Sequence, residues 1–132
     1  MFAKYVIACA AVVGASTASA APFGETEILT TGDGSVWYLK DSTVKRLVVE
    51  GRPVLQFFIH SDNPPSSSVR HWAARIYLDC PSQWFVRSIV AGYDANDKVT
   101  TFTTKGWARA NWEQSDASGV VAAAAKAVCP VK

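Results

Sequence analysis

One stretch constrains this chain more than any other. Residues 71–80, HWAARIYLDC, alternate in a strict period of two. Trp72, Ala74, Ile76, Leu78 and Cys80 fall on one phase, and His71, Ala73, Arg75, Tyr77 and Asp79 on the other. That period belongs to a strand with one face buried, so a sheet has to be built around it with the first phase turned to the core. Neighbouring segments supply the partners. Residues 84–93 form a long apolar run beyond Pro81-Ser82 and pair with it as an antiparallel neighbour, which places Trp72 and Trp84 in the expected core. Residues 99–104, VTTFTT, return as a β-branched strand after the turn at 94–97. Upstream, residues 45–49 and 52–60 flank Glu50-Gly51, a two-residue connection in which Gly supplies a positive φ, and so read as a hairpin. Residues 35–40, after Gly32-Asp33-Gly34, give the first strand. Between the hairpin and the central strand, residues 61–68 hold Pro64-Pro65 among serines, which predicts a mobile exposed loop.

The period changes near the C-terminus. Val121, Ala124, Ala125 and Val128 recur at i, i+3, i+4 and i+7, with Ser118 placed as N-cap and Pro130 as stop, which predicts a C-terminal helix. Alanine favours helix but buries little area, so such a helix is marginal without a tether. The fold class is therefore α+β: an antiparallel sheet of about five to six strands with one C-terminal helix. With 132 residues the chain has room for one domain, and no internal repeat or linker divides it.

The N-terminus reads as an address. Lys4 is followed by an uncharged apolar run over 5–14 and by Ala18-Ser19-Ala20, a small-residue cleavage site, so residues 1–20 form a signal peptide and the mature domain is 21–132. The run is shorter than the roughly 20 residues a transmembrane helix needs. Cys9 follows Lys4 too closely for a lipoprotein signal. The expected location is the periplasm or the outer surface, where disulfides persist, and the two remaining cysteines, Cys80 and Cys129, are expected to pair. In the chain-entropy treatment a bond closing about 50 residues restricts the unfolded chain by roughly 4 kcal/mol. It would clamp the helix to the central strand.

Charge excludes one class of partner. Of 13 Lys and Arg only Lys4 leaves with the leader, so the mature chain carries a formal charge of +1 against its 11 acids. The basic residues are scattered rather than gathered on one face, so no nucleic-acid partner is expected. His60 and His71 lack the further ligands a metal needs, and neither metal nor cofactor is expected. Ser66, His71 and Asp79 form a triad only on paper: His71 and Asp79 share a strand, and there is no G-x-S-x-G elbow. The chain is accordingly read as no enzyme. Two features remain as binding candidates. Trp107 and Trp112 lie in an irregular stretch where one ring can cap the core beneath the helix and the other be exposed, or where the stretch can serve as a carbohydrate or protein platform. Arg70, Arg75 and Arg87 are candidates for a stripe on the face opposite the core, suited to an acidic glycan or protein.

The order of landmarks resembles the surface-adhesin protein E family of Gram-negative bacteria. The resemblance rests on the leader, Trp37-Tyr38-Leu39 with Asp41-Ser42-Thr43-Val44, the hairpin ending near His60, Ile76-Tyr77-Leu78-Asp79-Cys80, Tyr93-Asp94, and Trp107 ahead of a helix ending at Val128-Cys129. It spans essentially the whole mature chain. The chain departs from the family in lacking a lipobox and in having Ala117-Ser118 where Pro-Ser commonly starts the helix. The resemblance implies a six-stranded antiparallel sheet with a disulfide-clamped helix, and an exported non-catalytic module attaching to host matrix or serum proteins. The competing class is a periplasmic accessory protein or lysozyme-type inhibitor, for which residues 62–70 would supply the blocking loop. Either reading is compatible with a homodimer.

Overall fold

The computed structural model describes residues 25–116 and 119–130; the leader 1–20 and Ser118 lie outside them. Six strands lie side by side in their order along the chain: β1 (Glu25–Thr30), β2 (Val36–Val49), β3 (Arg52–Asp62), β4 (His71–Asp79), β5 (Trp84–Tyr93) and β6 (Val99–Thr104). Each pair is antiparallel. A two-residue strand, β7 (Glu113–Gln114), adds to β5, and the helix α1 (Val120–Val128) closes the chain. The expected α+β architecture is thus the observed one, and the disulfide links Cys80, just past β4, to Cys129, just past α1. No helix among the described residues is long and apolar enough to cross a membrane.

Local chemistry explains the elements. The β2–β3 turn places both Glu50 and Gly51 at positive φ, 51° and 80°, the pair of left-handed residues that a two-residue hairpin demands. Residues 35–40 and 45–49, read as separate strands, are one bent strand. The register slips between Lys40 and Lys45, and Thr43 repairs the gap: its hydroxyl donates to the Lys40 carbonyl at 2.6 Å and accepts the Phe58 N–H at 2.9 Å. β1, which the sequence pattern does not announce, is polar except for Ile28 and Leu29 and forms an edge.

Alternation sorts the side chains onto two faces. Leu39, Leu55, Phe57, Ile59, Ala74, Ile76, Leu78 and Phe85 pack on one face beneath Val121, Ala124 and Ala125 of α1, which lies against β1 and β2. Phe57, Ile76 and Leu78 have no exposed surface. Among the described residues, the cover of the other face lies toward the hairpin end, where Val49, Val54 and Tyr77 lie under Trp107 and Trp112. The helix begins at Gly119 as N-cap, one residue beyond the expected Ser118.

Two expected core residues are corrected. Trp84 is 40% exposed, because its ladder partner is Asp79 rather than a member of the Leu78 phase. Trp72 stays on the helix-side phase but is only part-buried. It lies over Gly92, where a Cβ would sit 3.0 Å from its ring, so any larger residue there would have to push the indole aside. The loop after β3 is also drawn in more than the sequence suggests. Ser61 is fully buried, Asn63 nearly so, and the loop is closed by Asn63 Nδ2 donating to the Val69 carbonyl (2.8 Å) and by the Asn63 N–H donating to the Arg70 carbonyl (2.8 Å). Only Pro65, Ser66 and Ser68 of residues 61–68, besides Asp62, are exposed.

Candidate functional site

On the face away from the helix, beside the β2–β3 turn, the sheet carries a cleft of about 410 Å³, within the size range of small-ligand sites. Trp84, Trp107 and Trp112 line it together with Arg52, Asp79, Glu50 and Arg109. The walls come from distant parts of the chain. Glu50 and Arg52 are set by the hairpin turn, and Asp79 and Trp84 face each other as the last cross-strand pair of β4 and β5. The tryptophans of the third wall are held by a short segment with its own fastenings.

Those fastenings start at a 3-10 turn, Arg109–Asn111. Trp112 Nε1 donates to the Trp107 carbonyl at 3.0 Å, which ties the two indoles into one unit. Trp107 then lies against Tyr77 with ring centres 4.0 Å apart. Beyond the turn, β7 docks on the free edge of β5, Gln114 Nε2 donates to the Ser82 carbonyl (3.0 Å), and the Ser115 N–H donates to the Gln83 carbonyl (3.1 Å). The Trp unit is therefore pinned at both ends rather than hung on a loop.

Arg87 belongs to this scaffold. Its Nε and Nη2 donate to Glu113 Oε2 and Oε1 at 3.1 and 2.7 Å, a two-pronged pair that fixes β7. The three arginines of the proposed stripe are not brought together. Leu78 pairs with Phe85, so Ile76 pairs with Arg87, and Arg87 stands on the helix-side face. Arg75, one residue earlier on β4, stands on the other face, where Nε donates to Ser88 Oγ (2.8 Å) and the guanidinium lies 5.3 Å from the Tyr77 ring. Arg70 precedes β4, five residues from Arg75 or roughly 17 Å of strand, and its Nε donates to the Asn63 carbonyl at 3.3 Å.

The cleft itself is electrostatically balanced. Arg52 Nη1 lies 3.6 Å from Asp79 Oδ2, with its guanidinium 6.0 Å from the Trp112 ring centre. Asp79 is further fixed by the Ser82 hydroxyl, which donates to it at 2.9 Å. The Glu50 carboxylate and the Arg109 guanidinium have no side-chain partner among the described residues. The site thus offers two guanidiniums, two carboxylates and three indoles in one concavity. Of its residues the sequence pattern offered only Trp107 and Trp112 as a binding platform; it placed Trp84 in the core, Glu50 in the hairpin turn and Asp79 in the paper triad. The register around Pro81-Ser82 was the available signal for the rest, since pairing Leu78 with Phe85 forces Asp79 and Trp84 together on the opposite face.

The histidines lie elsewhere on that face. His60 Nδ1 is 3.0 Å from Oε2 of the buried Glu25 and its ring stacks on Tyr38, centroids 5.2 Å apart. Burial, with the nearby Glu27, Asp62 and Glu25 carboxylates, holds the Tyr38 phenol above its ordinary pKa of 10.0. His71 Nδ1 is 3.5 Å from Asp62 Oδ1. His71 and Asp79 stand at opposite ends of β4, eight residues or roughly 27 Å apart, so Ser66, His71 and Asp79 do not form a triad. No group of three His, Cys, Asp or Glu with metal-holding geometry occurs among the described residues.

Comparison with protein-family models, curated proteins and solved structures finds no significant match for this chain. The fold and the cleft define a class by themselves: a disulfide-clamped antiparallel sheet domain that presents a rigid aromatic recess.

Proposed function

We propose that the chain is an exported, non-catalytic binding module of the adhesin E kind, released by cleavage after Ala20 into the periplasm or to the outer surface, and that its contact is centred on the tryptophan cleft. The cleft carries this reading. Three indoles, two guanidiniums and two carboxylates, held by a sheet on one side and by β7 on the other, suit recognition: rigid aromatic anchors give contact area at low entropic cost. The order of landmarks that resembles the adhesin E family supports the same reading. The lysozyme-inhibitor alternative draws on the loop after β3, which its own hydrogen bonds fold back against the sheet.

The test has two arms. Fractionation with mass spectrometry of the mature N-terminus is expected to find Ala21 without lipid. Binding of the mature protein to immobilised matrix and serum proteins is expected to weaken when Trp84 is replaced by Ala, and to be unaffected by Arg75→Gln. Matrix binding that depends on Arg75 and not on Trp84 would move the contact to the arginine region. Inhibition of lysozyme without matrix binding would move the function to the alternative class.

A further inference from the structure

We infer that the tryptophan cleft takes a neutral saccharide. This rests on the binding-module reading above and specifies its ligand chemistry. A sugar ring presents a face of C–H groups and a rim of hydroxyls, each of which can both donate and accept. The cleft offers the matching set: indole faces for the ring, guanidinium donors from Arg52 and Arg109, and carboxylate acceptors from Asp79 and Glu50.

Two observations separate this ligand from its competitors. The first is charge. Arg52 already lies against Asp79, and the other guanidinium, Arg109, shares the recess with Glu50, so the site has no net field to draw an anionic glycan. A sulphated or uronic ligand would meet as many carboxylates as guanidiniums, and to use Arg52 it would have to draw it from Asp79. The second is the backbone. An extended peptide gains affinity by adding to a free strand edge, but at Trp84 and Phe85 both edges of β5 are taken, one by β4 and the other by β7. Along its Trp84 wall the cleft therefore offers an incoming chain no free strand edge. That suits a compact ring better than a strand.

Trp84 is the residue on which the test turns. It is 40% exposed and lies outside both apolar clusters, so its replacement should leave the fold intact. The mature protein is titrated with neutral cello-, chito-, malto- and galacto-oligosaccharides, with heparin fragments and with a proline-rich peptide, following tryptophan fluorescence and heat, at low and high salt. A neutral oligosaccharide is expected to shift the emission with the same affinity at both salts. Trp84→Ala is expected to weaken it by about tenfold, equivalent to about 1.4 kcal/mol, with unchanged melting, and Trp84→Phe to restore part of the loss. Binding of heparin alone, abolished by salt, would overturn the proposal in favour of an acidic ligand, and binding of the peptide alone would overturn it in favour of a protein partner. If no saccharide binds while matrix proteins still do so through Trp84, the sugar falls and the binding module stands. If neither saccharides nor matrix proteins bind, both readings fall.

Discussion

The two faces of this sheet are sealed by different means. On one, Phe57, Ile76 and Leu78 are wholly enclosed, and the cover is a nine-residue helix that contributes Val121, Ala124 and Ala125. On the other, Val54 and Tyr77 are nearly as well buried, but their cover is an irregular segment holding two tryptophans, and among the described residues no helix covers the rest of the face. Small helix residues allow a close lid over β1 and β2, and the recess on this side, about 860 Å³ beside Leu55, Leu78 and the Cys80–Cys129 bond, lies past the end of the helix. Two bulky indoles on a short segment seal one spot and, with Trp84, leave a concavity beside it. The same sheet thus supports an enclosed core under a helix on one face and an aromatic cleft beside an irregular segment on the other.

The largest effect should come from the enclosed face. Leu78→Ala or Phe57→Ala leaves a cavity among residues with no exposed surface, and is expected to lower stability by about 3–5 kcal/mol in urea unfolding. A loss below about 1 kcal/mol would mean that this face is not the principal core. Next is the staple that holds its lid. The Cys80–Cys129 bond spans 49 positions, and Cys129→Ser with Cys80→Ser is expected to cost about 2–4 kcal/mol, with hydrogen exchange accelerating first in residues 120–128. Uniform acceleration over sheet and helix alike would show that the helix is no separate, tethered lid.

The comparison also explains what was readable in the sequence. The helix-side face is written in two simple periods, 72–80 in steps of two and 121–128 in helical steps, and the fold class followed from them. The cleft is written in pairing. By composition Trp84 is apolar enough for any core, and only its partnership with Asp79 turns it outward. The parity that makes this pair also separates Arg87 from Arg75. Other features had no local signal: the slip that Thr43 repairs within β2, the polar edge strand β1, and the docking of β7 by Arg87 and Glu113, 26 residues apart. Such contacts are long-range, so no window of sequence contains both partners.

A third, smaller effect is expected on the partly covered face. Trp107→Ala removes the ring lying 4.0 Å from Tyr77, a part-buried aromatic contact worth about 1–3 kcal/mol in lost area and ring pairing. Because Trp112 is tied to the Trp107 carbonyl rather than to its ring, the second indole should keep its place. Near-ultraviolet circular dichroism is expected to lose part of its aromatic signal while the far-ultraviolet spectrum stays constant. A collapse of the far-ultraviolet spectrum would show that the Trp segment is integral to the sheet, and the contrast between the two covers would then be one of degree.

The smallest effect comes from the open part of that face, where Tyr38 stacks on His60. Burial, reinforced by Glu27, Asp62 and Glu25, raises the phenol above its ordinary value, so the folded state holds that proton more tightly than the unfolded chain does. The sign follows from linkage. Stability due to the neutral phenol is fully present below the unfolded value, about pH 10, and is lost as pH rises from there through the folded value. Tyr38→Phe retains the ring and removes the titration. The urea midpoints of wild type and variant should therefore differ by a constant amount up to about pH 10, above which the wild type should lose ground to the variant. Tyrosinate absorbance would follow the same proton directly. If the two midpoints stay parallel through the alkaline range, the ring at Tyr38 is solvated like a free phenol, and the open face begins closer to β1 than its packing on His60 indicates.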